Sequence, residues 1–184
     1  ELGKAKPREV PLRLEHCDVV VTYSDGEGSD AGVGVGIWSP RLPGPQAGRC
    51  CVPPTLRAIW ARQRARASPD KPYDIFEIEG IGPWLILCTW GASMHGMLWL
   101  HFIDNDAALS ALVRGSSSCL EADHIVGVTW SKVASADIVP WFDRVDSASN
   151  PVDKLSRGVL KGPWRLVPLV TPWVELGLPL DSQG

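Results

Sequence analysis

The chain has 184 residues, 45% of them apolar and 21% charged, with a formal net charge of −3. That length fits one domain able to bury about two-thirds of its unfolded surface, so neither a disulfide framework nor a metal staple is required for folding. The composition is that of an ordinary globular protein. The acidic balance provides no overall basic field for nucleic acid, although local patches matter more than the sum.

No apolar run reaches about 18 residues, so no transmembrane helix is expected, and no signal peptide is recognisable. The chain begins at Glu1 rather than Met, which reads as processing or excision from a longer polypeptide. Of five Cys, Cys50 and Cys51 are adjacent, and Cys17, Cys88 and Cys119 sit in apolar runs. No C-x-x-C pair occurs, which argues against a zinc site. Buried free thiols in a reducing, intracellular compartment are the default reading.

In chain order, residues 1–15 are charged, carry two prolines and read as an arm or linker. "CDVVVTYSD" (17–25) reads as a central strand. "GEGS" turns the chain into a second strand, "AGVGVGIW" (31–38), hairpin-paired with the first. Glycine at every second position bares one face of that strand for close packing or for a ligand. After a loop at 39–48, "RCCVP" (49–53) reads as a short third strand. Residues 54–67 have helical spacing, with Leu56, Ile59 and Trp60 on one face. Arg57, Arg62, Arg64 and Arg66 make this helix strongly basic. It is either a solvated face or a grip on phosphates.

A buried helix is expected from about Glu79 to Trp90. Pro83 is tolerable only near a helix start, which sets the first residue near Glu79. "GMLWLHFID" (96–104) is a strong strand, and 105–115 is a helix stopped by Gly115. A further helix over 119–138, a strand over 140–146 and a short helix over 150–158 follow. Residues 161–184 are punctuated by prolines and read as an extended strap held by its tryptophans. The domain proper is therefore 16–160. Strands followed by alternating strands and helices imply an α/β fold with a mixed sheet.

Four carboxylates fall at element ends: Asp25, Glu79, Asp104 and Asp153. Each has a local reading. Asp25-Gly26 suits a turn, and Asp104 suits a helix cap. Asp153 follows Asn150-Pro151 as a first-turn acid, and Glu79 fits the same dipole argument. Among neighbouring acids, Glu77 should face away from Glu79, Asp106 reads as a first-turn acid, and Glu27 and Asp30 belong to a hairpin turn. His101 reads as a core or sheet-face histidine.

Together, "TYSDGEGSDAGVGVGIW", "IFEIE", "FIDNDAALSALVRGSSS" and "FDRVDSASNPVDKLSRG" resemble, in order, the four motifs of the ribonuclease H-like fold. The resemblance is strongest to domains attached to retroelement reverse transcriptases, and it spans about residues 17–158. It implies a mixed five-stranded sheet with helices on both faces. It also implies that Asp25, Glu79, Asp104 and Asp153 hold two Mg²⁺ (or Mn²⁺) ions.

The implied activity is endonucleolytic hydrolysis of the RNA strand of RNA–DNA hybrids, leaving a 3′-hydroxyl and a 5′-phosphate. The implied setting is a reverse-transcribing element, with a reverse transcriptase domain as partner in the parent polypeptide. Cellular members carry a His before the last Asp. Here "FDRVDSASNPVD" has none, leaving Arg144 or Ser147 as stand-ins. Ser116–Ser118 could offer donors to phosphate, and Trp60 could stack on sugars or bases. The alternatives are an inactive module of the same fold that binds nucleic acid or a protein, and another nuclease of that fold.

Overall fold

The computed structural model describes residues 18–67 and 75–177. The expected arm at 1–15 lies outside the described residues, as does the strap beyond 177. Six strands form one mixed sheet: β1 (Val19–Glu27), β2 (Gly32–Trp38), β3 (Gln46–Cys51), β4 (Leu98–Ile103), β5 (Val139–Arg144) and β6 (Arg165–Leu166). Their order is β5-β4-β1-β2-β3-β6. The β1–β2 and β2–β3 pairs are antiparallel; β1–β4, β4–β5 and β3–β6 are parallel.

The sheet thus has six strands, not five. The extra one is a two-residue ladder in the strap, where Arg165 N donates to Pro45 O (3.0 Å) and Val167 N to Ala47 O (2.9 Å). A segment so rich in proline shows no strand period, but it still satisfies the open edge of β3.

The helices are α1 (Pro54–Ala67), α2 (Ile75–Trp90), α3 (Asp106–Arg114), α4 (Leu120–Ser135) and α5 (Asp153–Ser156). Alternation in β1 and β4 turns Val20, Thr22, Trp99, His101 and Ile103 toward the main core, all at 0% exposure. There α2 supplies Ile78, Ile81, Trp84, Leu85 and Ile86, also fully buried, and α1 adds Leu56 and Trp60. On the opposite face, among the described residues, the single turn of α5 and Trp164 of the strap pack on β2 and β3. Trp173 of the strap meets Trp84 with ring centroids 5.4 Å apart.

Two boundaries differ from expectation. β3 begins at Gln46, three residues early, and α2 begins at Ile75, so Pro83 lies inside the helix. Pro83 offers no N–H to the carbonyl of Glu79 four residues before it. Burial of every residue from Glu77 to Leu87 outweighs that loss. Glu79 consequently sits in the second turn of α2, not at its start. Gly82 packs directly on β1: a Cβ there would stand 2.3 Å from Ser24 Cβ. A Cβ on Gly26 would stand 2.9 Å from Glu79 N. Bare backbone at both positions lets β1 and α2 cross in contact, and that contact places Asp25 beside Glu79.

Candidate metal centre

Asp25, Glu79 and Asp104 each present a carboxylate oxygen, and these oxygens lie within 4.8 Å of one another. The topology accounts for this. β1 and β4 are parallel neighbours, so Asp25 and the residue following β4 emerge at the same end of the sheet. Helix α2 crosses that end at Gly26.

The local readings of two acids are taken up by their neighbours. Asn105, not Asp104, caps α3: its Oδ1 accepts from Ala107 N (3.0 Å) and Ala108 N (2.9 Å). Asp25 is not a turn residue either, because it lies inside β1 opposite Gly34, and the strand runs on to Glu27. Glu27 does the turn chemistry, accepting from Ser29 N (2.7 Å) and Asp30 N (3.0 Å). The Ser29 hydroxyl, followed by those two backbone bonds, holds its carboxyl down at about 2.

Asp25 is 3% exposed and Glu79 8%. Burial pushes Asp25 up to about 7 against the pull of the Ser156 hydroxyl, with Asp104 and Asp153 adding repulsion. Burial, then Asp104 and Asp25, push Glu79 to about 8. Asp25 Oδ2, Glu79 Oε2 and Asp104 Oδ1 are buried without a hydrogen-bond partner. Buried acceptors are normally satisfied, so three orphans converging on one point are a demand for cations or protons.

Asp153 is near but differently engaged. Its charge is felt by Asp25, yet its Oδ1 is 3.4 Å from Arg157 Nη2, an i,i+4 pair. The element bearing Asp153 is firmly tied down. Asn150 Nδ2 donates to Ser24 O (2.9 Å) and Arg49 Nε to Ser156 O (2.8 Å). Asn150 does not cap α5, whose N-cap is Val152; instead its Oδ1 accepts from Val152 N (3.2 Å) while its amide nitrogen holds β1. The alternate glycines of β2 serve this docking. A Cβ on Gly32 or Gly34 would strike Ser156 backbone at 2.2 or 2.7 Å.

His101 is the expected core histidine. Its Nδ1 pairs with Thr22 Oγ1 (2.8 Å) and its Nε2 with Ser24 Oγ (3.1 Å), and burial holds it down at about 3, hence neutral. Arg144 is tied to Asp106 (2.9 Å) and Asp146 (3.0 Å).

The four-arginine face is corrected by the structure. Arg64 is buried and ion-paired with Glu77, which is 0% exposed. Arg64 follows Leu56 and Trp60 at i+8 and i+4, a stripe visible in the sequence that points it inward. Arg57 is half-buried, Arg62 is exposed with Nε donating to Ala58 O (3.2 Å), and the side chain of Arg66 lies outside the described residues. Trp60 is 2% exposed and cannot stack on a ligand. Ser117 and Ser118, with Arg64 and Arg114, line a cavity of about 390 Å³.

Sequence reading missed a second acidic group, Glu77, Cys119 and Glu121, whose ligand atoms also lie within 4.8 Å. The Cys119 thiol donates to Glu121 Oε2 (2.9 Å), and Arg64 already compensates Glu77. Among the described residues no helix is long and apolar enough to cross a membrane. Comparison of the chain with protein-family models and with curated proteins found no match.

Proposed function

We propose that the chain is a metal-dependent endonuclease of the ribonuclease H type, acting on the RNA strand of RNA–DNA hybrids within a reverse-transcribing element. The observation that carries the proposal is the trio of buried carboxylate oxygens without partners on Asp25, Glu79 and Asp104. The strand order and the motif resemblance agree with it. Hard oxygen donors clustered in this way suit Mg²⁺ or Mn²⁺. In this reading Asp25, Glu79 and Asp104 hold the ions and Asp153 completes the set by turning from Arg157.

Bound there, two divalent ions supply an activated water, charge relief at phosphorus and a stabilised leaving oxygen. The chain's own contribution is to bring four acids to one end of a rigid sheet. Asn150 and Arg49 hold the last of them in place, and the neutral His101 network braces β1 against β4. Arg62 and the cavity bearing Arg114, Ser117 and Ser118 are the candidate phosphate contacts.

The test is incubation of the purified chain with a strand-labelled RNA–DNA hybrid in Mg²⁺ or Mn²⁺, beside Asp104→Asn and beside end-labelled DNA. The proposal expects internal cuts in the RNA strand by the wild type alone. Cutting of DNA from its ends would make it a different nuclease of this fold. No cutting with either ion would leave a binding module.

A further inference from the structure

Beside the carboxylates stands one loosely held cation. Arg157 follows α5, and its Nη2 lies 3.4 Å from Asp153 Oδ1. The contact is long, spans one helical turn and is open to water, with the Arg157 side chain 61% exposed. An ion pair of this kind is worth little and opens readily. Among the described residues it is the one tie on the Arg157 side chain.

The other arginines at this end of the sheet are held. Arg49 shares a cross-strand row with Asp25 through Gly34, but its Nε donates to Ser156 O (2.8 Å) and its Nη1 to Cys51 Sγ (3.3 Å). Arg144 is tied to both Asp106 and Asp146. Arg157 instead has a fixed root and a free end. Ser156, immediately before it, is fully buried, and its hydroxyl reaches Asp25. The guanidinium is close enough to be felt there: burial raises the Asp25 carboxyl, and the Ser156 hydroxyl and the Arg157 charge draw it back.

Charge then suggests what the free end is for, given the nuclease reading, on which this inference rests. Four carboxylates and two divalent ions cancel, so a filled centre is neutral. A phosphodiester brings one negative charge and gains a second when a deprotonated water attacks it. That charge needs a cation outside the neutral centre. When Asp153 turns to the ions, Arg157 loses its partner. We propose that Arg157 then passes from Asp153 to a non-bridging oxygen of the substrate phosphate, as a further catalytic residue of the same site. Its planar fork of N–H donors matches phosphate better than a lysine ammonium does. The pair seen with Asp153 is the resting position of the group, which withholds it from nucleic acid until the ions are in place.

The test has a metal-free and a metal-loaded arm. In EDTA, binding of a labelled RNA–DNA hybrid is followed by fluorescence anisotropy over a range of salt. Asp153→Asn should free Arg157, tightening binding about fivefold and steepening the salt slope by about one. Asp153→Asn/Arg157→Gln should lose that whole gain. In Mn²⁺, Arg157→Gln should lower kcat/KM about tenfold or more, although the ion binds no more weakly. Arg157→Lys should recover part of the loss. Lys154→Gln, which removes a charge from the same turn, should change neither readout by more than about twofold. A gain from Asp153→Asn that persists without Arg157 would overturn the proposal, because the lost acid alone would explain it. So would cleavage by Arg157→Gln at the wild-type rate, which would leave the nuclease reading intact and make Arg157 a counterion of the metal-free site. A wild type that cuts no hybrid with either ion would remove the nuclease reading itself, and this inference with it.

Discussion

Glu77 and Glu79 stand two residues apart on one helix, both buried, and the protein treats them oppositely. Glu77 is neutralised by Arg64, with the Cys119 thiol also reaching it. Each glutamate keeps one oxygen without a hydrogen-bond partner, but Glu79 faces two more carboxylates where Glu77 faces a guanidinium. An internal cation makes a buried acid structural. Its absence, repeated three times at one point, makes a buried acid available to something from outside.

The largest effect that would break this comparison is on stability. Arg64→Ala strands a buried carboxylate and should cost about 3–5 kcal/mol, read as a collapse of Tm, while Arg62→Ala should change little. In the metal-free protein Glu79→Gln should instead leave Tm level or raise it, since it removes repulsion. If Glu79→Gln were as damaging as Arg64→Ala, the two acids would not differ in kind. In cleavage the ranking should invert. Glu79→Gln and Asp104→Asn should abolish it in folded protein, whereas Asp106→Asn should leave it standing.

Next in size is pH. Asp25 and Glu79 are raised from 3.8 and 4.5 to about 7 and about 8 in the folded chain. Their contribution to stability is therefore whole below about pH 4 and is lost as pH rises through 7 to 8. The Tm of metal-free protein should fall over that window, and Mg²⁺ should restore it. His101 runs the other way. It is lowered from 6.5 to about 3, so its contribution is whole above 6.5 and is lost as pH falls toward 3. A thermal scan from pH 3 to 9 should show both slopes, and His101→Phe should remove the acid limb attributable to this residue.

The smallest expected effect concerns Asp153. Arg157→Gln frees that carboxylate from an exposed ion pair and should tighten Mn²⁺ binding only a few-fold, as measured by calorimetry. Unchanged affinity would mean that Arg157 does not compete with the ion.

Much of this organisation was legible in the sequence because period and punctuation carry it. Alternation reveals β1, β2 and β4, and Gly115 ends α3 where its left-handed backbone requires. The acids were legible as a set through motif order. Taken one at a time, Asp25 and Asp104 look like turn and cap residues, and only contacts reveal that Glu27 and Asn105 fill those roles. Arg64 was misread because charge suggested solvent, although its spacing from Trp60 pointed inward. The start of α2 was misplaced because the local rule for Pro83 was outweighed by burial along the whole helix. β6 left no pattern, since two residues satisfying a sheet edge have no period to read.

The most direct test of the central claim is calorimetric titration of the metal-free chain with Mg²⁺ and Mn²⁺ near pH 7, in two buffers of different ionisation enthalpy. The account predicts saturable binding with net release of protons held on Asp25 and Glu79, lost in Asp104→Asn and Glu79→Gln. Absence of binding, or binding that survives both substitutions, would contradict it.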